Sequence, residues 1–167
     1  VLEVALNNPN PVAHPIACLL NAAHFERPSP NQPRVEDWET PRVQRLIAEL
    51  DWERLRVLDS VGLHGVGMEE FLHRSYPAGK RQPNQVGPVA PNSYPVPERY
   101  VTEDVPHGLV LFESVAHLAG VEVPVTSETI DLANLLYDRD FRQYGYTLQR
   151  MGFVGQRLHQ VLQWLTQ

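Results

Sequence analysis

Cysteine is nearly absent from this sequence, and positive charge is outnumbered. Its single thiol, Cys18, excludes an internal disulfide and a thiolate metal cluster, and such sparse use suits a reducing compartment, so a cytoplasmic location is expected. Lys and Arg number 14 against 20 Asp and Glu, for a net charge of −6, which argues against a surface that tracks nucleic-acid phosphates or an anionic membrane. Small anions stay open as ligands, because one arginine binds them locally. No apolar run approaches the roughly 18 to 20 residues of a membrane span, and no signal-peptide pattern is visible. Sustained strand alternation and internal repetition are also missing. An irregular all-α bundle around one core is therefore expected over residues 1–167.

Three kinds of site are missing from the pattern. There is no G-x-G-x-x-G to cradle a dinucleotide; Gly62-Leu63-His64-Gly65-Val66-Gly67 has the wrong spacing and lies between two helical stretches, where Gly62 suits a helix C-cap. His64 and His73 are nine apart and His107 and His117 ten apart, so neither pair has helical metal-site spacing, and no catalytic metal is expected. Ser60 and Ser114 lack the surroundings of a nucleophile elbow.

What is present is helical. Residues 1–7 and 15–25 form the first two segments, parted by Asn8-Pro9-Asn10-Pro11, with Cys18 in the core. Thr40-Pro41 opens the longest helix, whose stripe of Val43, Leu46, Ile47, Leu50, Leu55, Leu58 and Val61 runs to about Gly62. Shorter helices follow over 69–76, over 108–119 ending at Gly120, and over 154–166. Between the last two lies one with Ile130, Leu132, Ala133, Leu135 and Leu136 as its apolar side, capped by Thr126-Ser127-Glu128. Residues 27–37 and 77–97 are too rich in proline for regular elements. Trp38, Trp52 and Trp164 read as core or interface aromatics.

Two short segments carry chemistry. In Asn7-Asn8-Pro9-Asn10-Pro11-Val12-Ala13-His14-Pro15, the proline after His14 suits a first helical position, so His14 reads as a helix cap with its ring free to face a cleft. In Arg99-Tyr100-Val101-Thr102-Glu103-Asp104-Val105-Pro106, an arginine precedes an aspartate by five residues at a helix start. That gives a fork for a carboxylate and an acceptor for an imidazole. Imidazole titrates at about 6.5 when unperturbed, so His14 can exchange protons near neutrality. Taken singly, the same residues also read as a cap, a dipole-compensating helix carboxylate and a surface ion-pair former. Asn10 is either a ligand of substrate or cofactor or a turn residue between prolines, and Glu103 either a second substrate contact or a solvent-facing or capping residue.

These segments resemble the C-terminal domain of the opine dehydrogenases, the octopine/nopaline dehydrogenase family that includes carboxyethyl-norvaline dehydrogenase. Asn-x-Asn-x-Val-x-His-Pro, Leu19-Leu20-Asn21-Ala22-Ala23, Thr40-Pro41-x-Val43, Asp51-x-Glu53-Arg54, Tyr76, Gly87-Pro88, Arg99-Tyr100-x-x-Glu103-Asp104-Val105, Gly108-Leu109-Val110 and Asp140-Phe141-Arg142 follow in the family's order. The resemblance implies an all-α domain after a Rossmann domain that this chain lacks. It also implies reductive condensation of an α-keto acid such as pyruvate with an amino acid's amino group, using NAD or NADP bound mainly by that missing domain. By the same resemblance His14 and Asp104 are catalytic and Arg99 and Asn10 bind substrate, with the Rossmann domain supplied in cis or in trans. Apolar surface left at a two-domain cleft would suit a homodimer. The alternative is a non-catalytic helical dimerisation or interaction domain of the same ancestry. A ketopantoate-reductase-like reading fits less well, since those enzymes use a lysine and a glutamate and the one lysine here is Lys80 in a proline-rich stretch. The chain departs from the family at 27–39, where extra prolines replace an aromatic-rich run near Trp38, beside the expected amino-acid pocket.

Overall fold

Thr40 in extended conformation, with Pro41 in the first turn, starts the longest helix where the sequence signals it. A computed structural model describes residues 2–27, 39–75 and 98–165. All regular elements among these are helical: α1 (Leu2–Leu6), α2 (Asn10–Leu19), α3 (Ala22–Phe25), α4 (Pro41–Ser60), α5 (Met68–Ser75), α6 (Arg99–Thr102), a π-helical turn (Val105–Leu109) running into α7 (Val110–Ala119), α8 (Pro124–Tyr137), α9 (Phe141–Tyr144) and α10 (Leu158–Leu165). The all-α expectation is met. None of the described helices is long and apolar enough to cross a membrane.

The spine is α4. Its stop is the predicted one: Gly62 adopts φ +72°, and the Leu63 N–H returns to the Leu58 carbonyl at 2.9 Å. Val43, Ile47 and Leu50 of its first half pack with Val12, Ile16, Val101, Val105, Ile130 and Phe141. Val57 and Leu58 of its second half pack with Leu2, Leu6, Phe112, Val115 and Val161. Fully burying each such side chain contributes about 1.5–3 kcal/mol. Leu46, placed in the stripe by its spacing, is instead 40 % exposed.

Buried polar residues of α4 organise its neighbours. Glu53, 3 % exposed, reaches the start of α8 and accepts the Val125 N–H at 2.8 Å, the Thr126 N–H at 2.9 Å and the Thr126 hydroxyl at 2.7 Å. A carboxylate from another helix thus satisfies the orphan donors that Thr126-Ser127-Glu128 were expected to cap, and α8 begins two residues earlier, at Pro124. Arg54 and Asp51 bind each other through two hydrogen bonds and tie α4 to the end of α1 and to the loop before α5.

Several expectations need correction. The segment over 15–25 is two helices, because α2 ends at Leu19 and α3 starts at Ala22. Leu135 and Leu136 are 81 % and 50 % exposed, since α8 turns only Ile130 and Ala133 of that set fully into the core. Trp52 and Trp164 are surface residues at 56 % and 72 % exposed, so neither is a core aromatic. The last helix starts at Leu158, four residues after its expected beginning. Cys18 is buried as expected; burial, with the nearby Asp104 charge second, pushes its thiol up to about 12, so it stays protonated and unreactive near neutrality. Trp38, Tyr76, Lys80, Gly87 and Pro88 lie outside the described residues.

Candidate active site around His14 and Asp104

His14 is not a helix cap. Pro9 and Pro11 open α2, so the helix begins at Asn10, and Pro15 sits inside it. Proline at the first turn costs nothing because its missing N–H would have no partner there, whereas Pro15 removes the donor that would reach the Pro11 carbonyl. The preference of a pre-proline residue for extended backbone is overridden here by burial of Val12, Pro15, Ile16 and Leu19 on the core side of α2. His14 consequently projects from mid-helix, one turn beyond Asn10 on the same face.

Asp104 comes from a second helical path. Arg99–Thr102 forms α6, and after Glu103 the chain widens into the π turn, where the Val110 N–H reaches back to the Val105 carbonyl. Val101 and Val105 are fully buried and anchor this path in the core. The Pro106 carbonyl accepts the Tyr146 N–H at 2.8 Å, which pins the turn from the far side. Wide turns of this kind are rare and concentrate at functional sites.

The two paths meet at one contact. His14 Nδ1 lies 2.9 Å from Asp104 Oδ2, joining residues 90 apart in sequence, with the two side chains 22 % and 17 % exposed. An ionised Asp104 accepts, so it holds the ring proton on Nδ1 and leaves Nε2 available to a ligand. The Tyr100 ring lies flat on the imidazole, with centroids 3.8 Å apart and planes inclined by 17°. Arg99 is exposed, its guanidinium carbon 5.7 Å from the centre of the Tyr100 ring. It is therefore no further from the imidazole centre than those two distances added together. Asn10 is exposed, and its backbone N–H donates to Asn8 Oδ1 at 3.1 Å. All four residues singled out in the sequence are thus on α2 or on the path from α6 into the π turn, and His14 and Asp104 are the two joined by a hydrogen bond. Tyr100 is the residue that sequence reasoning passed over. Its position four before Asp104 on a nearly continuous helical path was the available signal, because residues so spaced share a face.

Gly108 lets these paths approach. A Cβ at this position would lie 2.2 Å from Cγ and 2.5 Å from Cβ of Pro11, and a proline ring cannot swing aside. Gly108→Ala should therefore push α2 off the π turn, cost about 1–3 kcal/mol and loosen the His14–Asp104 contact. Urea unfolding, together with the NMR resonances of His14, checks this; an alanine variant of unchanged stability and spectrum would refute it.

Other features do not add to the site. A shallow hollow of about 570 Å³ is lined by Glu113, Ser114, His117, Ser127, Arg142 and Thr147 among others. Two of its charges meet each other: Arg142 grips Glu113 through two bonds of 2.6 and 2.7 Å and also pairs with Asp131. Burial pushes the Glu113 carboxyl up, but the Arg142 and Ser127 hydrogen bonds and the Arg142 charge outweigh it and hold Glu113 below the usual range. The Glu113 bonds in turn raise Arg142. This cluster ties α7, α8 and α9 together. The glycine cluster after α4 lies in the loop between α4 and α5. The Val66 N–H donates to Asn7 and the Met68 N–H to Asp51, so these two amides tie the loop to α1 and α4.

The fold and this contact describe an all-helical domain with a histidine–carboxylate pair at the meeting of two helical paths. The family model for the α-helical domain of NAD/NADP octopine/nopaline dehydrogenases matches residues 1–137. The chain belongs to that family. It is 34 % identical to an opine dehydrogenase of Arthrobacter sp. (strain 1C) over 93 % of its own length and 45 % of that protein. It is 27 % identical to vitopine synthase of Allorhizobium ampelinum, over 96 % of this chain and 46 % of the synthase. Protein ocs of Agrobacterium tumefaciens (strain Ach5) is 23 % identical over the same two shares. The chain spans less than half the length of these curated relatives.

Proposed function

We propose that this chain is the substrate-binding and catalytic domain of an opine-type dehydrogenase, an enzyme that reductively condenses an α-keto acid such as pyruvate with the amino group of an amino acid. The observation that carries this reading is the 2.9 Å contact between His14 Nδ1 and Asp104 Oδ2. His14 exchanges protons through Nε2 as the amine adds to the carbonyl and water departs. Asp104 fixes the tautomer and offsets the charge on the imidazole when it holds both protons. Arg99, close to the imidazole and exposed, takes the keto-acid carboxylate as a fork, and Asn10 offers its amide from the same face as His14.

Reducing equivalents come from NADH or NADPH held by a dinucleotide-binding domain in the same polypeptide or supplied in trans. The low cysteine content supports work in the cytoplasm. The test is NAD(P)H oxidation by a protein carrying this chain after a dinucleotide-binding domain, with pyruvate and a panel of amino acids. Oxidation that requires both the keto acid and the amino acid is expected. A folded protein that turns over none of the pairs would favour a non-catalytic interaction domain.

A further inference from the structure

We propose that Tyr100 is a positioning residue that acts through His14, holding the plane of the imidazole while Asp104 holds one edge. The inference rests on the reading of His14 as the proton-transfer group, and it concerns a residue outside the His14, Asp104, Arg99 and Asn10 set. A hydrogen bond at Nδ1 fixes one ring atom and leaves the ring able to swing about that contact. Face-to-face contact over the whole ring, at 3.8 Å and 17°, removes that freedom. Asp104 and Tyr100 supply the two constraints from one path, four residues apart, so a shift of α2 meets both together.

The clamp is itself held. Val101, next to Tyr100, and Val105, next to Asp104, are each fully buried. The Val101 and Thr102 N–H groups bond the Glu98 carbonyl at 3.1 and 2.8 Å, so the backbone that carries Tyr100 is ordered as a helical turn. The stack also covers one face of the imidazole, whose side chain as a whole is 22 % exposed. With Arg99 beside the same tyrosine ring, one short helix would set both the direction of proton transfer and the place of the carboxylate.

The test compares Tyr100→Phe and Tyr100→Leu with the parent and with His14→Ala, in the protein that carries both domains. Tyr100→Phe keeps the stacked ring and should keep kcat within about twofold, whereas Tyr100→Leu should lower kcat about ten- to a hundredfold at nearly unchanged KM for the keto acid. In histidine-labelled protein, the His14 ring protons should lose their ring-current shift in the leucine variant and retain it in the phenylalanine one. Should Tyr100→Leu fail to fold, Tyr100→Gln carries the same expectation. The proposal is overturned if the leucine or glutamine variant keeps its kcat, if Tyr100→Phe falls as far as they do, or if the His14 resonances do not move. An active His14→Ala variant would instead show that the reading of His14 has failed. An inactive His14→Ala beside a fully active Tyr100→Leu would confine the failure to this inference.

Discussion

Replacing His14 by alanine, in a protein that joins this chain to a dinucleotide-binding domain, should lower kcat by roughly 10²- to 10⁴-fold, the range that a positioned general acid/base supplies. Asp104→Asn should come close to it on the order of 10³-fold, although the asparagine has nearly the same shape. The reason is the 2.9 Å contact to Nδ1. An amide can present its N–H to that nitrogen and so favour the wrong tautomer, and it carries no charge to offset an imidazolium. If the two side chains act as one unit, as proposed, the double variant should be no slower than His14→Ala alone. Steady-state kinetics with saturating keto acid and amino acid measure all three. Full activity in Asp104→Asn would remove the carboxylate from the reaction, and additive losses would show that the pair does not work together.

Arg54→Ala should destabilise the domain by about 3–5 kcal/mol, because it leaves a buried carboxylate without its cation. Arg54 is 3 % exposed and Asp51 is 7 % exposed. The guanidinium donates to Asp51 Oδ1 at 2.9 and 2.6 Å, to the Leu6 carbonyl at 3.0 Å, to Asn7 Oδ1 at 3.3 Å and to the Val66 carbonyl at 2.6 Å. Asn7 in turn uses its amide on the Glu3 and His64 carbonyls and on the Val66 N–H. The end of α1, the loop before α5 and the middle of α4 therefore meet on one side chain. Arg54→Lys should recover little, since an ammonium cannot reproduce a planar fork with donors aimed in three directions. Arg54→Met combined with Asp51→Leu should recover much of the loss, because it removes both charges together. Urea unfolding decides the matter; an Arg54→Ala variant within about 1 kcal/mol of the parent would mean that water replaces the guanidinium, as at a surface pair.

The helices were legible where signals are local. Thr40-Pro41 and Gly62 bound α4, and Gly120, at φ +70°, closes α7 as expected. Local signals failed where a distant group supplies what a neighbour would have. Glu53 caps α8 across 72 and 73 residues, and no pattern near Thr126 announces that. His14 was legible as a chemical group but misplaced as a cap, because its proline neighbour is tolerated inside a helix whose other face is buried. The Asp51-x-Glu53-Arg54 run marks the family in sequence, and only its contacts show that it serves the scaffold. Leu135 and Leu136 were misassigned because hydrophobicity says nothing of which side a neighbouring helix covers. The contact of His14 with Asp104 depends on the approach of Pro11 to Gly108, which spacing along the chain does not encode.

The π turn at Val105–Leu109 gives the chain a gear change. Each residue added to or removed from a helix rotates everything beyond it by about 100° about the axis. In an unbroken α-helix, the direction of Asp104 would be locked to that of Val110, Leu111 and Val115, which the core holds in place. The wide turn uncouples the two phases. A one-residue deletion within it should set the two anchors against each other: with α7 seated, Asp104 swings about a quarter-turn from His14 and the buried Val101 and Val105 turn out of the core with it.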